Sequence, residues 1–85
     1  MPKLALLQTE KELLRTLVEN CYIGDHQALE ENLPKFFPRH LRGLAKDAAA
    51  SLKRRGFLLT KHKHYGVHVS INPQKIPEVK EFLKG

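Results

Sequence analysis

Leu13, Leu14, Leu17, Val18 and Cys21 recur at the three- and four-residue spacing of a helix that buries one side. Immediately upstream, Thr9-Glu10-Lys11-Glu12 has the form of a capping box, in which the Thr9 hydroxyl accepts from the Glu12 amide and the Glu12 carboxylate reaches back. The pattern predicts a first helix that starts at Thr9 and stops by Gly24, after Tyr22-Ile23; the residues before Thr9 carry no signal that places them. Asp25 is then a cap for a second helix, with His26, Gln27 and Ala28 in its first turn and Leu29, Leu33 and Phe36 directed inward. Pro34 and Pro38 bracket its end. Proline lacks an amide donor and disfavours helical geometry in the residue before it, so Leu33 to Pro38 reads as a turn or helix end.

Helical spacing returns between Arg39 and Arg55, where Leu41, Leu44, Ala45, Ala48 and Leu52 fall within a narrow arc, and Gly56 ends the run. Beyond that glycine the period changes to two. Phe57 to His62 reads as one strand and Val67 to Asn72 as its partner, joined through Lys63-His64-Tyr65-Gly66. Asn72-Pro73 is a cap followed by a proline suited to a first turn, and Ile76, Val79, Phe82 and Leu83 give a last short helix its apolar stripe.

At 85 residues, 41% hydrophobic and 28% charged, the expectation is a soluble globular chain folded as one domain over residues 1–85, with no repeat, low-complexity run or Gly/Ser linker. A chain this short buries only roughly 60% of the surface its unfolded form exposes. Its apolar positions are therefore needed for folding, little is left to line a deep pocket, and function is expected on the outside. Cys21 is the lone cysteine, so neither an internal disulfide nor a cysteine-rich zinc site is available, which fits a reducing compartment. Leu4-Ala5-Leu6-Leu7 is too short for a signal-peptide core or a membrane span, so a cytoplasmic location without a membrane partner is expected.

Helix, short extended piece, helix, turn, helix, hairpin, helix: this order resembles that of a winged helix-turn-helix domain. The resemblance rests on Leu13 to Cys21 as first helix, Asp25 to Leu33 as second and Arg39 to Arg55 in the recognition-helix place. It also rests on Leu52-Lys53-Arg54-Arg55-Gly56-Phe57-Leu58, a basic helix end, a glycine and an apolar strand, which looks like the helix-to-wing junction of many small archaeal and bacterial transcription regulators. Pro34-Lys35-Phe36-Phe37-Pro38 departs from the pattern, being bulkier and more apolar than the usual tight turn. The resemblance implies an α+β fold with a three-helix core, a wing hairpin of two or three strands and a C-terminal helix. It implies double-stranded DNA as partner, the third helix entering the major groove and the wing lying along the backbone or in the minor groove, with no cofactor.

Charge placement supports the same expectation independently. The net charge is +6, and between Lys35 and His64 nine basic residues face only Asp47, while the rest of the chain is slightly acidic. Opposite the apolar arc, the third helix displays Arg39, Gly43, Lys46, Ala50, Lys53 and Arg54, with Arg42 at one margin. Gly43 and Ala50 let a backbone approach a groove while the long cations reach phosphates or base edges. Arg39, Arg42, Lys46 and Lys53 are expected to carry most helix contacts; Arg54 and Arg55 sit at a helix end that can point away. In the hairpin, Lys61 and Lys63 are expected on phosphates, with Tyr65 packing under the wing or stacking on a sugar. A basic helix face with no ligand is the plain alternative, and it fits any one of these residues better than it fits the clustered set.

His62, His64 and His68 raise a metal site if alternate strand residues share a face, but without a nearby Cys, Asp or Glu an exposed polar face that adds positive charge when protonated fits better, and no metal is expected. His26 and His40 read as cap-region residues. No catalytic residues are expected: Cys21 falls on the apolar side of the first helix and reads as core, Ser51 and Ser70 sit in no nucleophile motif, and Glu30-Glu31 reads as a solvated helix surface rather than an acid/base pair. The stripe of Ile76, Val79, Phe82 and Leu83 either closes the core or pairs with a second copy in a homodimer. The competing function is a winged helix used as a protein-interaction module in a replication, transcription or RNA-processing assembly; Phe36 and Phe37 near the turn favour it, a point that lapses if both are buried. Structured RNA is disfavoured because its deep narrow groove excludes a helix.

Overall fold

A computed structural model describes the backbone of residues 2–84 and the side chains from Leu7 to Lys84. Met1 and Gly85, the ends of the expected domain, lie outside the described residues. The first helix, α1 (Pro2–Glu19), begins seven residues before the expected start. Lys3 to Gln8 contains only good helix formers, and Pro2 lacks an amide that the first turn leaves unpaired anyway, so the helix runs through Thr9 instead of being capped there. The capping box is accordingly not used. Thr9 and Glu10 are buried within the helix, and the Glu12 carboxylate accepts from the Gln8 side chain at 3.3 Å.

Termination also differs from the expectation. The Cys21 amide donates to Val18 O at 3.0 Å and the Tyr22 amide to Leu17 O at 2.9 Å, the paired bonds of a Schellman motif, with Cys21 itself at φ 60°. Cys21 is therefore an exposed cap residue, not part of the core. The same motif closes the second α-helix at Gly56, where glycine takes φ 82° without steric cost.

The expected second helix from Asp25 to Leu33 does not form. A two-residue strand, β1 (Ala28–Leu29), leads into a 3₁₀ helix at Glu30–Phe36, a second at Arg39–Leu41, and then α2 (Arg42–Arg54). The extended backbone of Ala28 and Leu29 pairs with the hairpin and takes the middle of the expected helix, and Pro34 keeps the residues that follow from running on as an α-helix. Leu33 faces inward as expected, but Phe36 is exposed and its neighbour Phe37 is the buried ring.

β2 (Leu58–Lys63) and β3 (Gly66–Ile71) form the expected hairpin, closed by a turn at His64 and Tyr65 with Lys63 opposite Gly66. The sheet is antiparallel in the order β1-β3-β2, and Ile23 adds a parallel bridge to Ile71. Asn72 caps a 3₁₀ turn at Pro73–Lys75 by accepting from the Gln74 amide, and α3 (Ile76–Lys84) follows. The fold class is thus α+β, with helices packed on a three-stranded antiparallel sheet.

Leu13, Leu14 and Leu17 of α1 and Ala45, Ala48 and Leu52 of α2 meet Val69 and Ile71 of β3 in the core, each fully buried. Each leucine so buried contributes about 1.5–3 kcal/mol. Val79 joins them, with Ile76, Phe82 and Leu83 packed against the same cluster, so the apolar stripe of α3 is used inside the chain. No helix among the described residues is long and apolar enough to cross a membrane.

Candidate nucleic-acid interface

Because α2 turns Ala45, Ala48, Ala49 and Leu52 to the core, its opposite side faces water. Arg39, just ahead of the helix, and Arg42, Gly43, Lys46, Ala50 and Arg54 are all exposed there, together with Asp47. A Cβ built at Gly43 meets nothing within 4 Å, so the helix backbone is open to approach at that point.

Two of the nine basic residues between Lys35 and His64 leave this set. Lys53 is half-buried and ion-paired with Glu30 from the 3₁₀ helix, so it fastens that helix to α2; Glu30 is correspondingly not a freely solvated side chain. Arg55 donates to Glu10 at 2.9 Å and lies over the rings of Phe57 and Phe82 at 5.1 and 5.3 Å, joining α1, α2 and α3. Both partners come from outside the basic segment, a long-range pairing that charge counting along the chain does not register. Lys35, Arg39, Arg42, Lys46, Arg54, Lys61 and Lys63 are exposed, and none is within ion-pair distance of a carboxylate among the described residues.

The hairpin stands beside α2. Lys46 on the helix and Gly66 at the end of the turn border the same cleft of about 510 Å³, floored by Leu33, Ala45, Ala49 and Val67 and rimmed by Glu31. Sequence reasoning missed this cleft because Glu30, Glu31, Leu33 and Pro34 in its wall belong to the 3₁₀ helix that replaces the expected α-helix. From Leu59 to Tyr65 every residue is exposed, Tyr65 by 75%, and the Tyr65 ring meets His68 edge-on at 5.5 Å. Tyr65 therefore projects from the tip instead of packing under it. The histidines do not share a face: His62 lies opposite Val67 and His68 opposite Lys61, on the two sides of the hairpin. Among the described residues no three His, Cys, Asp or Glu side chains are grouped to hold a metal ion.

No protein-family model matches this sequence, and neither a curated protein nor a solved structure matches it.

Proposed function

We propose that this chain is a winged helix-turn-helix domain that binds double-stranded DNA and regulates transcription, with α2 in the major groove and the β2–β3 hairpin along the backbone. The observation that carries the reading is the set of exposed cations, unpaired among the described residues, on α2 with its lead-in and on the neighbouring hairpin, where Lys61 and Lys63 lie on the sheet face away from Val67 and the cleft. A polyanion neutralises such a set, whereas a monomer leaves it self-repelling. The element order, with the strand after α1 paired to the second strand of the hairpin, is compatible with a winged helix, the 3₁₀ helix standing in the place of the second helix.

In this reading Arg39, Arg42, Lys46 and Arg54 are the helix contacts, Lys61 and Lys63 the wing contacts, and Tyr65 rests on a sugar or base at the tip. Lys53 is withdrawn from the contact set because Glu30 holds it. Major-groove geometry suits α2, whose outward side alternates long cations with Gly43 and Ala50. The chain is a binding module in this account, not an enzyme.

The test is selection from a pool of random duplexes followed by fluorescence anisotropy on the best binder. An enriched motif supports a sequence-reading regulator, and Lys46→Ala and Lys63→Ala each weaken binding about fivefold while leaving the circular dichroism spectrum unchanged. Variants that bind as tightly as the parent chain contradict the reading. One observation favours a protein-interaction module instead: Phe36 is 42% exposed. In that case a partner protein, and not a duplex, is lost on Phe36→Ser.

A further inference from the structure

We propose that the free edge of β2 accepts an extended acidic polypeptide segment as a fourth strand of the sheet. Among the described residues β2 is the outermost strand, with β3 on one side only. Which of its backbone groups are already used follows from the register. The Ile71 amide donates to Tyr22 O and its carbonyl accepts from the Gly24 amide, so Ile71 turns both groups away from β2; Asn72 turns back and donates to Phe57 O. The backbone alternates, and Leu58 lies opposite Ile71, Thr60 opposite Val69 and His62 opposite Val67. The amides and carbonyls of Leu58, Thr60 and His62 therefore point away from β3, and those of Leu59, Lys61 and Lys63 face it; Leu58 is buried, so the open edge is the one that Thr60 and His62 present. The pairing of Ala28 with Val69 on the far side of β3 agrees with this assignment. Every residue from Leu59 to Lys63 is exposed, and an unpaired edge of this length is a template for another strand.

Side chains select the occupant. Leu59, Lys61 and Lys63 share one face of the strand; Leu59 is 44% exposed, and neither lysine is ion-paired among the described residues. A second copy of β2 laid on this edge brings lysines near lysines and is opposed by like charge. A segment with acidic residues beside Lys63 and Lys61 and an apolar one beside Leu59 satisfies all three; run antiparallel, it reads acidic-x-acidic-x-apolar. Lysine on an edge strand is also a device against strand addition. It repels basic strands but attracts acidic ones, so here it narrows the choice of partner. The site does not depend on the DNA reading, although both use Lys61 and Lys63, so an acidic strand and a duplex compete for the hairpin.

The probe is the acetylated, amidated peptide SETETLTS, with SKTKTLTS as its charge-reversed counterpart, titrated into the ¹⁵N-labelled full chain without DNA. Amide hydrogen exchange at Thr60 and His62 is expected to slow roughly tenfold or more on adding SETETLTS, with little change at Leu59, Lys61 and Lys63, and SKTKTLTS is not expected to bind. Thr60→Pro removes an amide that makes no bond within the sheet, so the fold is kept while peptide affinity falls by roughly tenfold or more. The Lys61→Glu/Lys63→Glu double variant, which leaves the backbone alone, switches preference to SKTKTLTS. Binding without the alternating protection, or equal binding to a folded Thr60→Pro chain, reveals charge attraction alone and overturns the proposal. Absence of binding at millimolar peptide overturns it as well.

Discussion

Replacing Arg55 by methionine keeps most of the side-chain stem and removes the guanidinium that sits 2.9 Å from a Glu10 carboxylate oxygen and over the rings of Phe57 and Phe82. The Glu10 side chain is only 4% exposed, so without its partner the carboxylate is left where water reaches it poorly. Removing one member of a fully buried pair costs about 3–5 kcal/mol. Arg55 is itself 43% exposed and water already screens the pair in part, which brings the expected loss to about 2–3 kcal/mol, lost ring contacts included. Against a total stability of roughly 4–13 kcal/mol for a domain of this length, such a loss is large. Urea unfolding followed by circular dichroism reads it as a midpoint about 1–2 M lower. Adding Glu10→Leu restores more than half of the loss, because the stranded charge is gone. Duplex affinity of the folded variant stays unchanged. A loss below about 0.5 kcal/mol, or a further loss on adding Glu10→Leu, refutes the reasoning and returns Arg55 to the free surface cations.

Cys21→Gly relieves a left-handed residue at the end of α1 and raises stability by about 0.5–1 kcal/mol, seen as a higher thermal midpoint; an unchanged or lower midpoint contradicts the Schellman assignment. Gly43→Ala adds a methyl to open space on a helix, so stability rises by about 0.5–1 kcal/mol while duplex affinity falls, the two measured by urea unfolding and anisotropy; gains in both contradict close approach of the helix to the groove. Lys53→Ala, which breaks the pair with Glu30, changes duplex affinity less than about twofold where Arg42→Ala costs about fivefold; equal losses contradict the removal of Lys53 from the contact set.

The hairpin, the third helix and the Asn72 cap were legible because their signals are local: a period change after Gly56, an apolar arc, a cap followed by proline. The stretch from Asp25 to Phe36 was not. Its helical spacing is real, but Ala28 and Leu29 are recruited by a strand forty residues away, and such pairing is invisible along the chain. The start of α1 failed for a different reason: a capping box permits a start but does not impose one when the preceding residues also favour helix. At the site, Arg39 is exposed on the 3₁₀ turn ahead of α2, whereas the exposure of Arg42, Lys46 and Arg54 followed from helical spacing alone. The loss of Lys53 and Arg55 did not, because Glu30 and Glu10 reach them from elements 23 and 45 residues distant. Cys21 was misplaced by one turn, since the same spacing that runs through a helix continues past its end.

The most direct test of a DNA-binding surface built from Arg39, Arg42, Lys46, Arg54, Lys61 and Lys63 is the salt dependence of duplex affinity. With four to six of these neutralising phosphates, a plot of log affinity against log salt has a slope of about −3.6 to −5.4. A slope shallower than about −2, or affinity that survives raised salt, contradicts the account.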